Sequence, residues 1–384
     1  MHGDEDDGPG ALSPRRFESP DLSPDFLIIG AGAVGLASAL ELARRGARVT
    51  VLDRAHAGAE STWAGGGILS PLLPWQYGDA VNALSEYSRA LFPDWIARQE
   101  ASSELNAEFR VSGMLVLPPF SAVEAGAWCA RHGWRSEVRS SGDFLPTMDA
   151  QDALWLPDVA QARNPRLAHV LRAAAVAQGV DIVEATEVTG LVAEQGRVFR
   201  VTTTQGDFSA AGFVVAAGAW TGALPGLEAL SESVFPVRGQ MLLFKLAPDS
   251  LRTIVLQNGR YLIPRLDGHV LAGSTLERSG FDKSTTESAK HDVMAFAAGI
   301  LPALSDLVMV RHWSGLRPGS PDNVPTIASY PGYNNLFINS GHYRYGVTMA
   351  PGSAMLLADM IEGKQAAISA APYARELDAE NVSI

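Results

Sequence analysis

The chain is poor in cysteine: Cys129 is the one thiol in 384 residues. A lone thiol cannot close an internal disulfide, so a disulfide-stapled scaffold is excluded and a reducing, cytoplasmic setting is expected. It sits beside Trp128 in a helix-like stretch and reads as core rather than as a nucleophile. Basic charge is also short. Lys and Arg total 30 against 42 Asp and Glu, a net charge of −12, and a phosphate-binding face would need the opposite sign, which argues against nucleic acid. No apolar run supports stable membrane insertion. The longest, 212–227, is broken by four glycines, a proline and a threonine, whereas a spanning helix needs roughly 20 mostly apolar residues. The eight histidines never fall closer than 21 residues apart, so there is no local metal motif. No Gly-x-Ser-x-Gly elbow occurs either.

What is present describes a globular protein. Hydrophobic residues make up 47% and charged residues 19%, enough for a sizeable core. At about 150 residues per domain the length predicts two domains, or one domain with a large insertion. Residues 1–24 are acidic and rich in Pro, Gly and Ser, without the basic and apolar regions of a secretory signal, and read as a disordered extension.

Order begins with Phe26-Leu27-Ile28-Ile29, a short apolar run that ends in glycines and reads as a buried parallel strand. A helix-like segment at 36–45 and a second strand at 48–52 complete a βαβ unit. Residues 54–75 look like loop, 79–105 like helix, and 110–160 like short strands and loops. A helix follows at 166–178, then strands at 180–184, 187–193, 197–204 and 213–217. Strand-like segments at 235–246, 260–265 and 268–274, helices at 286–300 and 347–362, and a strand at 336–339 complete the pattern. The expected fold is α/β: a Rossmann-like dinucleotide-binding domain (25–85, 151–225 and 311–375) with an interleaved α+β substrate domain (86–150 and 226–310).

Gly30-x-Gly32-x-x-Gly35 follows a strand, opens a helix, and has Asp53 18 residues beyond its third glycine. In that context Gly30 permits a tight turn, Gly32 lets a pyrophosphate approach the backbone, and Gly35 lets helix and strand pack closely. The helix N-terminus attracts the pyrophosphate, and Asp53 can accept hydrogen bonds from ribose hydroxyls. The fingerprint alone does not separate NAD from FAD. FAD is favoured because the unit opens the folded chain and a remote strand at 213–217 runs into Ala216-Ala217-Gly218-Ala219-Trp220, a glycine turn suited to the same nucleotide. The Trp63-Ala64-Gly65-Gly66-Gly67-Ile68 loop is either a flexible connection or one that brings backbone N–H groups to a flat ring. Gly341-His342-Tyr343-Arg344-Tyr345-Gly346, just before a helix, is either a surface loop or a cofactor loop.

Taken together, these segments resemble a known family. The fingerprint, Ser61-Thr62-Trp63-Ala64-Gly65-Gly66-Gly67-Ile68-Leu69-Ser70-Pro71, Arg260-Tyr261-Leu262-Ile263-Pro264-Arg265, Trp313-Ser314-Gly315-Leu316-Arg317-Pro318-Gly319 and Gly341-His342-Tyr343-Arg344 are similar, in order, to the glycine oxidases. These are FAD-dependent amine oxidases of bacterial thiamine biosynthesis within the D-amino acid oxidase superfamily. The resemblance runs from about residue 25 to about residue 375. It implies a two-domain flavoprotein whose substrate lies between the flavin and a mixed β-sheet of the second domain. It assigns FAD contacts to Ala33, Val34, Asp53, Arg54, Ser61, Thr62, Gly66, Gly67, Ile68 and Val188, and to His342, Tyr343, Arg344, Tyr345, Gly346, Val347 and Thr348. It gives the substrate carboxylate to Arg317, with Tyr261 and Arg344 assisting, and it implies a homo-oligomer. Two positions depart from the family pattern. Tyr345 stands where a small polar residue is expected, and Ile68 where some relatives have Met.

The implied chemistry is oxidation of glycine, or of a related small amine such as sarcosine or a D-amino acid, with oxygen as acceptor. Hydride transfer from Cα to the flavin needs no side-chain base, and none is assigned. A quinone-linked dehydrogenase, an oxidase of secondary amines and a non-catalytic flavin- or NAD-binding module remain as other readings.

Overall fold

The computed structural model describes residues 23–374. Most of the expected N-terminal extension lies outside the described residues. At its end, the Pro24 carbonyl accepts the Ala211 N–H at 3.3 Å.

Two sheets organise the chain. The first has six strands in the order Thr326–Ser329, Leu336–Ser340, Gly212–Val215, Phe26–Ile29, Val49–Leu52 and Asp181–Val183. It is parallel except for its first pair. Side-chain alternation divides its residues between two cores. Ile28, Val51 and Val214 face the helices Ala33–Arg44, Asp79–Ser103, Asn164–Ala177 and Gly346–Ile361. Leu27, Ile29, Phe213 and Val215 face the other way, toward a three-stranded ribbon made by Val188–Glu194, Arg197–Thr203 and Gly206–Ser209. This is the expected α/β dinucleotide-binding fold.

The second sheet has eight strands in the order Arg311–Gly319, Phe235–Lys245, His269–Gly273, Arg260–Pro264, Ile254–Gln257, Met114–Val116, Asp152–Leu156 and Glu137–Ser140. It is mixed because Ile254–Gln257 runs parallel to Met114–Val116. One face packs on the Glu287–Ile300 helix through Leu242, Phe244, Leu262 and Val270. The other turns Met241, Tyr261, Ile263 and Leu271 toward Ile68 and Leu72. The functional site forms between that face and the first sheet.

Several elements differ from the sequence reading. Asp152–Leu156 and Arg311–Gly319, placed with the nucleotide-binding portion, instead pair into the eight-stranded sheet. The domain boundary expected at 86 falls inside the Asp79–Ser103 helix, whose buried Val81, Leu84, Phe92 and Trp95 all belong to the core beneath the first sheet. Inside 110–160 lies a helix, Ala122–His132, which Ser121 caps by accepting the Glu124 N–H. Inside 54–75 a single helical turn, Ser61–Ala64, interrupts the loop.

Candidate active site

Gly30 leaves its strand at φ +109°, a conformation that L side chains rarely adopt. A Cβ at Gly30 would lie 2.4 Å from the Ala216 carbonyl oxygen, and one at Gly35 would lie 1.9 Å from the Gly30 carbonyl oxygen. Both serve close backbone packing. Gly32 has a different surrounding: the one atom near an added Cβ is Thr62 Oγ1, at 3.4 Å. There the Ala33–Arg44 helix begins with no side-chain cap on its N-cap residue and no acid in its first turn. The Ala33 N–H is donated to Thr62 Oγ1 at 2.8 Å. The other amides of that turn and the helix dipole favour an anion.

Two adjoining cavities share Gly32, Ser61, Thr62, Ala216 and Gly218. The outer one contains Gly30, Asp53, Arg54 and Val188. Asp53 stands at the tip of its strand, where its Oδ2 accepts the Ala31 N–H at 2.7 Å and its Oδ1 the Ala55 N–H at 2.8 Å. Burial pushes its carboxyl above the usual range, and the two N–H groups oppose that shift. Arg54 lies 3.7 Å over the Trp220 ring. Trp220, Thr186 and Thr189 also line this cavity. Trp220 closes the glycine turn expected to serve the nucleotide, whereas nothing local in the sequence marks Thr186 and Thr189, which flank Val188.

The inner cavity is lined by Ala33, Val34, Gly66, Gly67, Ile68, Tyr261, Arg317 and the loop His342–Val347. Its lining includes Arg317 and Arg344 and no carboxylate. Arg317 Nη2 donates to Ser274 Oγ at 2.7 Å and Nη1 to the Thr275 carbonyl at 3.2 Å. Tyr261 Oη donates to the same Ser274 Oγ at 3.1 Å. Desolvation lowers the Arg317 pKa from its ordinary value, with the neighbouring Tyr261 opposing. Gly239 makes room for this arrangement, since a Cβ there would meet Arg317 Nη1 at 2.2 Å. Arg344 Nη2 donates to the Gly259 carbonyl at 3.1 Å. Ser274, which joins Arg317 to Tyr261, was missed in the sequence reading.

His342 is buried, and its Nε2 meets Ser353 Oγ at 2.8 Å. Burial lowers its pKa to about 3, so the ring is neutral. Tyr345 is buried edge-on to Tyr77 at 5.3 Å, and desolvation holds its phenol well above the ordinary value. Two expected contacts line neither cavity. Gly35 is packed behind the turn, and Thr348 Oγ1 donates to the Ile68 carbonyl at 3.1 Å, bracing the glycine loop from outside.

Among the described residues, no group of three or more His, Cys, Asp or Glu could hold a metal. No helix among them is long and apolar enough to cross a membrane. The donor set suits a flavin dinucleotide. The start of the Ala33–Arg44 helix, with Thr62 on its first N–H and no acid in its first turn, meets both cavities at Gly32. The inner one holds two buried acceptors without partners, Asn164 Oδ1 and Asn339 Oδ1, and the uncapped, acid-free N-terminus of the Gly346–Ile361 helix.

The family model described as DAO, FAD dependent oxidoreductase, matches residues 25–360, and the chain belongs to that family, with FAD as its cofactor. Within it, the chain is 43% identical over 359 residues to a glycine oxidase of Pseudomonas aeruginosa, covering 92% of this chain and 99% of that one. It is 33% identical to the bifunctional protein ThiO/ThiG of Trichormus variabilis, covering 88% of this chain and 53% of that protein. The crystal structure of glycine oxidase from Geobacillus kaustophilus superposes with a TM-score of 0.84 at 28% identity, covering 91% of this chain and 98% of that one. The resemblance read from the motifs is therefore borne out across the chain.

Proposed function

We propose that this protein oxidatively deaminates glycine and related small amino acids with oxygen, giving glyoxylate or a 2-oxo acid, ammonia and hydrogen peroxide, in support of thiamine thiazole synthesis. The observation that carries this reading is a cavity holding two arginines and no acid beside the flavin loop. Arg317 offers a planar guanidinium to the substrate carboxylate, a pairing that sets both position and angle. Tyr261 stands beside it, tied to it through Ser274. With the carboxylate clamped, the Cα–H is held in one orientation and the step becomes effectively unimolecular. FAD, when bound, would supply the hydride acceptor, with oxygen as the oxidant that restores it. The chain then needs no general base, and the buried neutral His342, turned to Ser353, is in keeping with that. The product imine is hydrolysed by water.

In this reading Asp53 and Arg54, which line the outer cavity, take the adenosine end of FAD, and the glycine loop and His342–Val347, which line the inner one, take the ring end. The single, buried Cys129 supports a cytoplasmic setting, and a homo-oligomer follows from the family resemblance. The test is to mix the purified protein with glycine, sarcosine and D-alanine under air and measure peroxide. Glycine turnover comparable to or above the other two supports the reading. Absence of peroxide with all three ends it.

A further inference from the structure

The segment Arg260-Tyr261-Leu262-Ile263-Pro264-Arg265 forms a strand of the eight-stranded sheet and its first residue beyond. In a strand, residues two apart share a face. Tyr261 and Ile263 are both packed with Ile68, while Leu262 packs on the opposite face of the sheet. The alternation continues one residue past the strand, because the Arg265 N–H still donates to the His269 carbonyl at 2.7 Å.

All three residues on this face reach the glycine loop or the segment under it. Tyr261 lines the inner cavity beside Gly66. An added Cβ at Gly66 would meet Ile263 Cδ1 at 2.6 Å and Tyr261 Cε2 at 3.3 Å, so bare backbone and strand face are in close contact there. Arg265 Nη2 donates to the Gly66 carbonyl at 2.7 Å. Its Nη1 donates to Gln161 Oε1 at 2.8 Å and to the Ala162 carbonyl at 3.1 Å. The Ala162 N–H in turn donates to the Gly67 carbonyl at 2.9 Å.

Arg265 is 3% exposed. Among the described residues no carboxylate forms an ion pair with it, and its Nε has no partner. Burying a guanidinium on neutral acceptors is costly, and desolvation lowers its pKa to about 9. It therefore stays a cation at neutral pH. A leucine or methionine would fill such a core position without that cost, so packing alone does not account for an arginine here.

We infer that Arg265 is a positioning residue for the flavin: its guanidinium pins the Gly66 carbonyl and thereby holds the glycine loop in register with Tyr261, so that cofactor and substrate contacts keep a fixed separation. It lines neither cavity. Its fork is needed because the acceptors diverge, one on the loop and two on the 161–162 segment, and a single ammonium cannot span them. The inference rests on the proposed amine oxidation for its kinetic arm only; its spectroscopic arm needs FAD alone.

The test compares the wild-type holoenzyme with Arg265→Lys and Gln161→Leu. Four quantities are measured: the melting temperature of the apoprotein, the FAD dissociation constant, the absorption spectrum and midpoint potential of the bound flavin, and the kinetic constants for glycine at saturating FAD. Arg265→Lys is expected to weaken FAD binding by roughly tenfold or more, the loss of one charge-assisted hydrogen bond. It should also shift the flavin bands and potential and lower kcat while KM changes much less, because Arg317 and Tyr261 are untouched. Gln161→Leu should move the same quantities in the same direction, by less. If the apoprotein merely melts lower, with spectrum, potential and kcat of the FAD-saturated enzyme unchanged, Arg265 is only structural and the inference is overturned. If Arg265→Lys does not fold, Gln161→Leu decides on the same readouts, and unchanged values there overturn it too. A wild type with a normal flavin but no glycine turnover would instead refute the proposed substrate and leave the spectroscopic comparison standing.

Discussion

Arg317 and Ser274 meet at 2.7 Å, guanidinium to hydroxyl, where no carboxylate takes part in the contact. The serine accepts from Arg317 and from Tyr261 together, so one oxygen holds both of the groups proposed to face the substrate. An arginine half-satisfied in this way, and shielded from bulk water, retains donors for an incoming anion.

Removing that arginine should strand the substrate carboxylate. Truncating one member of a buried charge pair costs about 2–5 kcal/mol, so Arg317→Ala should lower kcat/KM for glycine roughly 30- to 5,000-fold. Arg317→Lys should recover part of this, since an ammonium lacks the fork. FAD content should stay near wild type, and an amine without a carboxylate should lose far less activity. Equal losses for both kinds of amine, together with lost flavin, would show Arg317 to be a structural residue.

The serine can be tested separately. Ser274→Ala removes an acceptor shared by a charged and a neutral donor. Hydrogen bonds to charged groups are worth about 1.5–3 kcal/mol, so kcat/KM for glycine should fall roughly 10- to 150-fold with flavin occupancy unchanged. Steady-state peroxide assays read this directly. A variant as active as the wild type would show that Arg317 and Tyr261 hold their places unaided.

The contrast between Gly32 and Ser274 shows how far sequence reading reaches. Gly30, Gly32 and Gly35 act within one βαβ unit, so their spacing carries their roles, and a helix start without an acid in its first turn follows from the same few residues. Ser274 acquires its role only through the ladder, in which Tyr261 pairs with Gly273 and Arg317 with Val237. Nothing local marks it. Likewise, Asp152–Leu156 and Arg311–Gly319 read as neighbours of the nucleotide-binding segments because they are close to them in sequence. Arg311–Gly319 finds its partner, Phe235–Lys245, far away along the chain, and Asp152–Leu156 joins the sheet between the nearby Glu137–Ser140 and the more distant Met114–Val116. Asn164 opens a helix, and its Nδ2 donates to the Thr62 carbonyl at 2.7 Å across 102 residues, a link that no spacing rule contains.

Asp53 presents a case where the structure refines an expectation. Its oxygens already accept two backbone N–H groups, so the carboxylate braces the turn as well as facing the outer cavity. Asp53→Ala should therefore raise the FAD dissociation constant roughly 10- to 150-fold, for about 1.5–3 kcal/mol of charged hydrogen bonding, and also lower the melting temperature of the apoprotein. Asp53→Asn, which keeps an acceptor for one N–H, should fall between. Titration of the apoprotein with FAD, followed by flavin fluorescence, measures the first effect. An unchanged dissociation constant would refute an adenosine role.

His342 supplies a pH test with a definite sign. Burial lowers its folded pKa to about 3, while an unfolded histidine titrates near 6.5. Between those values the unfolded chain binds the extra proton and the folded chain does not. The contribution of the neutral ring is therefore fully present above about pH 6.5 and is lost as pH falls toward 3, at up to about 1.4 kcal/mol per pH unit. Other groups titrate in the same window, such as Glu184, held low to about 2 by its hydrogen bond from Arg172, so the informative quantity is a difference. Urea unfolding of the wild type and of His342→Gln should be measured from pH 7.5 to pH 4.5. The variant carries no titrating ring at this position, so the stability gap between the two proteins should shrink steadily with acid. Two curves that stay parallel over that range would mean that His342 is protonated as readily in the folded state as in the unfolded one, and that the ring is not sealed against Ser353 in solution.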